Sequence, residues 1–148
     1  MNNNTLGIIF GGIIPALFYG LFAITMKAGA SYKISTSSYL VIVGLVIAVT
    51  GLIVRPILQE TESSLNYTAI AFSIGSGLLW ALGTALVNYS IIRFETPLAI
   101  LTPLYNMNTL VAVLGGLIIF AEWKSVNSIS VTIGTLLVVC GGILLSRA

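Results

Sequence analysis

The chain has 148 residues, of which 57% are hydrophobic and only 7% charged, with a formal net charge of +2, one cysteine and no histidine. A soluble domain carries about 25% charged residues, so this composition excludes a water-solvated globule and leaves lipid as the solvent. It also excludes a disulfide-stapled domain, and the absence of any basic cluster excludes a nucleic-acid binder.

The charge is segregated. Residues Met1–Met26, Ile34–Val54, Ser63–Ile92, Thr96–Ala121 and Ser125–Ser146 contain no ionisable acid, base or imidazole. Each run can cross a bilayer core, which takes about 20 apolar residues in a helix. Backbone groups in lipid must be satisfied within the segment, and the unbroken runs lack the strand alternation of a barrel. The expectation is an all-α integral membrane protein with five transmembrane helices and short connections that make neighbours antiparallel. The first residues, Met1-Asn2-Asn3-Asn4, carry no basic n-region, so the first run is expected to be a span rather than a cleaved leader.

In chain order, the first span is expected over about residues 5–26, with Pro15 in its middle and the pairs Gly7/Gly11 and Gly12/Ala16 for close packing. A turn with Lys27, Tyr32 and Lys33 leads to the second span, about 38–58, near whose end lie Arg55 and Pro56. A polar loop over 59–66 carries Glu60 and Glu62. The third span, about 67–92, is followed by Arg93-Phe94-Glu95-Thr96 and by Pro97, a residue suited to a first helical turn. The fourth span covers about 97–121, with a kink expected at Pro103 because proline removes one backbone hydrogen bond. Glu122-Trp123-Lys124-Ser125 turns into the fifth span, about 126–145, with Gly134, Gly141 and Gly142, and Arg147 beyond it. The whole of 1–148 is expected to be one transmembrane domain.

Two helix faces carry the functional signal. In the third span Ala69, Ser73, Gly77, Ala81 and Ala85 recur every four residues, a small-residue ridge of the kind that lets lipid-embedded helices approach. Beside it run Ser76, Trp80, Thr84 and Asn88. In the fourth span Thr102, Tyr105, Asn106 and Thr109 share one side at helical spacing. Polar groups at membrane depth face protein or water rather than lipid, so Tyr19, Trp80, Thr84, Asn88, Tyr105, Asn106 and Thr109 are candidates to line a polar cavity for a small-molecule substrate. For Thr84, Thr102 and Thr109 taken singly, helix-to-helix hydrogen bonding is the better reading.

No acid or histidine lies in the middle of a span, which disfavours coupling through a buried carboxylate. No nucleophile–base constellation, metal-ligand set or phosphate loop is present in the sequence, so no enzyme activity, cofactor or metal is expected. Cys140 reads as a small packing residue.

The segments Ala81-Leu-Gly-Thr-Ala85, Thr96-Pro97-Leu-Ala-Ile100, Pro103-Leu-Tyr-Asn106, Gly115-Gly116 through Glu122-Trp-Lys124, and Ile133-Gly134 through Gly141-Gly142-Ile-Leu-Leu resemble an EamA-type repeat of the drug/metabolite transporter superfamily. The resemblance covers essentially the whole chain as one five-helix repeat. In that family an aromatic or leucine, a small residue and a glutamate close the fourth helix. Phe120, Ala121 and Glu122 fill those places here, with alanine where glycine is more usual. The stretch from Asn106 to Lys124 also resembles the superfamily's sugar-uptake branch.

The family is typically built of ten helices in two inverted repeats, with the substrate site between them. The resemblance therefore implies a transporter subunit working by alternating access. Its second half would come from a homodimer, antiparallel in one arrangement, or from a heteromeric membrane partner. Alternatives are a non-transporting subunit docked on a larger membrane complex and a component of a lipid-carrier flippase. A multi-pass place in the cell (inner) membrane is expected. Lys27, Lys33, Arg93 and Arg147 against Arg55 and Lys124 put the N-terminus outside and the C-terminus in the cytoplasm.

Overall fold

The computed structural model describes residues 3–58 and 66–145. The loop acids Glu60 and Glu62, and Arg147, lie outside the described residues. Those residues are helical, without strands, and five helices are long and apolar enough to cross a membrane: Thr5–Ser31, Thr36–Ile57, Tyr67–Arg93, Leu98–Ile119 and Ser128–Leu145. The chain is an integral, multi-pass membrane protein. No more than 11% of any span's most apolar window is buried, which is the distribution that lipid solvation requires and water would not tolerate.

The helices fall into two compact units, residues Met1–Glu95 and Thr96–Ala148. In the first unit α1 (Asn3–Ile8) runs into a π-helical stretch, Ile9–Ile13, and on into α2 (Ile14–Ser31). Pro15 explains the widened turn. It has no N–H for the Gly11 carbonyl, and its ring crowds that group. The chain adds a residue to the turn instead, and Ile14 N–H donates to Ile9 O. The span continues through Lys27 to Ser31 rather than stopping at the first charge, because a lysine stem can run along the helix towards the headgroups.

Helix α3 (Thr36–Ile57) starts earlier than hydropathy suggests. Ser35 is its N-cap, its Oγ accepting the Ser38 N–H at 3.1 Å. Asn66 caps α4 (Tyr67–Arg93) in the same way, with Oδ1 accepting from Thr68 N–H at 2.9 Å. Both α2 and α3 pack on α4, and the buried apolar side chains of this unit are Ala23, Met26, Tyr39 and Ile91.

In the second unit Pro97 is extended (ψ 134°) and α5 (Leu98–Tyr105) begins just after it. Two turn residues, Asn106 and Met107, separate α5 from α6 (Asn108–Ile119). The irregularity expected at Pro103 thus falls one turn later, where Asn106 (φ −68°, ψ −10°) and Met107 (φ −63°, ψ −9°) interrupt the helical hydrogen bonding while keeping right-handed dihedrals. A single 3₁₀ turn, Glu122–Lys124, leads to α7 (Ser128–Leu145), where Asn127 Oδ1 accepts from Ser130 N–H at 3.2 Å. Helix α7 packs on both α5 and α6.

Three helices end alike. Lys33 (φ 61°), Glu95 (φ 53°) and Ala121 (φ 55°) stand two residues beyond the last residues of α2, α4 and α6, in the left-handed conformation that closes a helix C-terminus. None is glycine. At Ala121 this gives a physical reason why glycine is the more usual residue of the resembling motif. Ala121→Gly is expected to raise stability by about 0.5–1 kcal/mol, the steric cost of left-handed alanine less the added freedom of the unfolded chain. Thermal denaturation in detergent checks this.

Candidate functional site

The seven candidate cavity residues divide between the units. In the first, Tyr19 on α2 is exposed, and Trp80, Thr84 and Asn88 follow one another down one face of α4. Trp80 is half-exposed and packs against Phe22, ring centroids 6.0 Å apart and planes inclined by 44°. Such a pair contributes about 0.5–1.5 kcal/mol beyond its buried area. Phe22 was not legible as a partner, because nothing in either helix's own pattern says which turn of α2 meets which turn of α4.

Thr84 and Asn88 lie deeper. Thr84 is 7% exposed and Asn88 is 0% exposed. Neither the Asn88 Nδ2 nor its Oδ1 has a hydrogen-bond partner among the described residues. An interior polar group left unpaired costs about 1–3 kcal/mol. Asn88 is buried together with Ile91, one turn further along α4.

The small-residue ridge is used unevenly. Ala81 and Ala85 are half-buried, while Ala69, Ser73 and Gly77 are exposed. Ser73 turns its hydroxyl back to Ala69 O at 2.9 Å, and a methyl added at Gly77 would meet nothing within 4 Å. The shallow depression lined by Tyr67, Thr68, Ala71 and Phe72 includes none of the seven candidates.

In the second unit the candidates cluster at the interruption of the fourth span. Tyr105 donates its hydroxyl to Thr102 Oγ1 at 3.4 Å. Thr109 Oγ1 donates to Asn106 O at 2.8 Å, and Thr109 N–H bonds the same carbonyl at 3.1 Å. Asn106 itself is exposed. The bonds join residues three apart, as one side of a helix allows, and Thr102, Tyr105 and Thr109 are all half-buried.

The interruption also frees backbone. Pro103 has no N–H to give the Ala99 carbonyl. Met107 N–H bonds Leu104 O at 3.1 Å rather than Pro103 O, and Thr109 N–H takes Asn106 O rather than Tyr105 O. Carbonyls released near the middle of a span must be covered by protein or lie in a wet cavity. Gly142 of α7 covers one of them. A Cβ placed on Gly142 would stand 3.2 Å from Pro103 O and 3.2 Å from Met107 Cγ. A lone methionine in an apolar run carries no periodic signal, so nothing in the sequence marks Met107 as part of this contact.

At the far end of α6 the Glu122 carboxylate folds back over Gly116, Oε2 lying 2.6 Å from the position of an added Cβ. The Lys124 ammonium lies over the Trp123 ring, 5.3 Å from its centroid, an arrangement suited to the headgroup region. Among the described residues no three acids, cysteines or histidines group as a metal site.

Over 138 residues, 89% of the chain, the sequence is 33% identical to the probable glucose uptake protein GlcU of Bacillus anthracis. Proteins of the same name from two strains of Bacillus cereus are 33% and 32% identical over the same length. The match covers 43% of each of these relatives, so the chain spans under half the length of the curated relatives it matches. No family model matches the sequence, and no solved structure matches it.

Proposed function

We propose that the chain is a transport subunit that moves a small neutral polyol, glucose in the first instance, across the cell membrane by alternating access. The observation that carries this reading is the similarity, over nearly nine-tenths of the chain, to proteins named for probable glucose uptake. The five spans and the absence of Asp, Glu, Lys, Arg or His from the middle of any of them support an uncharged solute. In this reading the chain is one five-helix repeat of the EamA type. The complementary five helices come from a second copy inserted in the opposite sense, or from another membrane chain, with the substrate path between the two. The N-terminus of this copy lies outside and its C-terminus in the cytoplasm.

Proteoliposomes containing the purified chain are expected to take up radiolabelled glucose saturably and above protein-free vesicles. Uptake at the level of empty vesicles overturns the reading. Cross-linking of copies tagged at either terminus is expected to trap dimers. A docking subunit of a larger complex is the second reading, favoured by the exposed ridge of Ala69, Ser73 and Gly77. Copurification of the chain with a large, inactive-for-uptake assembly would select it.

A further inference from the structure

We propose that Thr84 and Asn88 form a hydroxyl-recognition site for a hexose-sized polyol, and that the first unit is held here with that site closed. The inference rests on the transport reading above and deepens it. Asn88 is 0% exposed with both ends of its amide unpartnered among the described residues, and Thr84 is buried one turn before it on the same face of α4. A carboxamide offers two donors and one acceptor, and a hydroxyl both donates and accepts. Two adjacent hydroxyls of a sugar can therefore satisfy at once the Nδ2 and the Oδ1 that the protein leaves unpaired.

Size and charge fit the same ligand. Residues four apart on a helix are separated by about 6 Å along its axis, a span comparable to one pyranose ring. From Trp80 to Ile91 α4 carries no charged residue, so a neutral ligand enters without the cost of burying an ion. The half-exposed Trp80, one further turn along, is then the outer edge of the approach and Asn88 its inner end.

The unpaired amide also sets the direction of the equilibrium. A closed state that strands two polar atoms is held less firmly than one that pairs them. A hydroxylated solute that pairs them only when α4 parts from its neighbours favours the open form by differential binding. Asn88 is in this sense a built-in penalty that the correct solute relieves.

The test is Asn88→Leu, which keeps the branched heavy-atom shape and removes the stranded groups. Two readouts are made on purified protein: thermal denaturation in detergent, and glucose uptake in proteoliposomes competed by the series of monodeoxyglucoses. Wild-type protein is expected to discriminate at least tenfold against the analogue lacking a hydroxyl that Asn88 reads. Asn88→Leu is expected to melt at or above the wild-type temperature, to raise the KM for glucose at least tenfold, and to lose that discrimination. Thr84→Val is expected to raise KM in the same direction.

A variant that melts lower or fails to fold shows the amide to be a structural, paired group and overturns the proposal. So does an unchanged KM, or a wild type indifferent to every deoxy analogue. Absence of glucose uptake by the wild type is a different result, and strikes the transport reading itself.

Discussion

Gly142→Leu is expected to be the most damaging single substitution outside the polar site. Gly142 is buried on α7, and the space where a side chain would start is bounded by Pro103 O and Met107 Cγ, each 3.2 Å from an added Cβ. Methionine can move, but the backbone carbonyl cannot move without shifting α5. Forcing a larger side chain into a packed contact costs about 1–3 kcal/mol. Here a second cost adds to it, because a displaced α7 uncovers a carbonyl that the helical ladder no longer uses. The expected result is a clear fall in melting temperature in detergent and a loss of folded protein from membranes. Gly142→Ala should lie between, and Gly134→Leu should have little effect on melting, since an added Cβ at Gly134 meets nothing within 4 Å. Equal melting of all three variants would refute the assignment of Gly142 as the cover for Pro103.

Pro103→Ala is expected to act in the opposite sense on stability. Alanine restores the N–H that the Ala99 carbonyl lacks and removes the ring from the helix interior, where proline is about 3 kcal/mol less favourable than alanine. Neighbouring groups recover part of that cost in a membrane helix, so the expected gain is about 1–2 kcal/mol. The same gain straightens the segment before the interruption at Asn106 and Met107, and broken helices of this kind are the moving parts of alternating access. If transport requires the broken form, a bias of about 1.4 kcal/mol towards the continuous form lowers turnover about tenfold. The check is melting temperature and glucose uptake on one preparation: higher melting with lower uptake is expected. Higher melting with undiminished uptake would make the interruption a matter of packing alone.

These two substitutions are coupled through one atom. The Pro103 carbonyl is outside the ladder because Met107 N–H has turned to Leu104 O, and it is tolerable there because α7 has a glycine opposite. Neither fact can be read from its own helix. Pro103 alone predicts a kink, and Gly142 alone predicts a small residue in a glycine-rich span. Only the approach of α7 to the end of α5 makes them a pair.

Other elements were legible to different depths. The Ser35 and Asn127 caps set the starts of α3 and α7 within two residues of where hydropathy put them. The left-handed Lys33, Glu95 and Ala121 were hidden, because none is a glycine and each falls in a short charged or polar turn that reads only as a connection. Among the candidate residues, Trp80, Thr84 and Asn88 share a face as their spacing required. Thr102, Tyr105 and Thr109 are half-buried, while Asn106, at the turn between α5 and α6, is exposed.

The sequence by itself determined that the described residues are helical, that five of their helices are long and apolar enough to cross a membrane, and that the charges lie at the ends of the apolar runs or in the turns between them. Transfer into lipid is local and nearly additive along the chain, so a run of apolar residues settles it without reference to the rest of the molecule. Tertiary structure alone decided which polar groups are sealed and which are shared. It buried the Asn88 amide without a partner, set Gly142 against a freed carbonyl, and divided the fourth span at Asn106 and Met107. Lipid solvates every apolar face alike, so the sequence carries no hydrophobic stripe to say where one helix meets another. Close backbone approach and the need to pair polar groups make that decision.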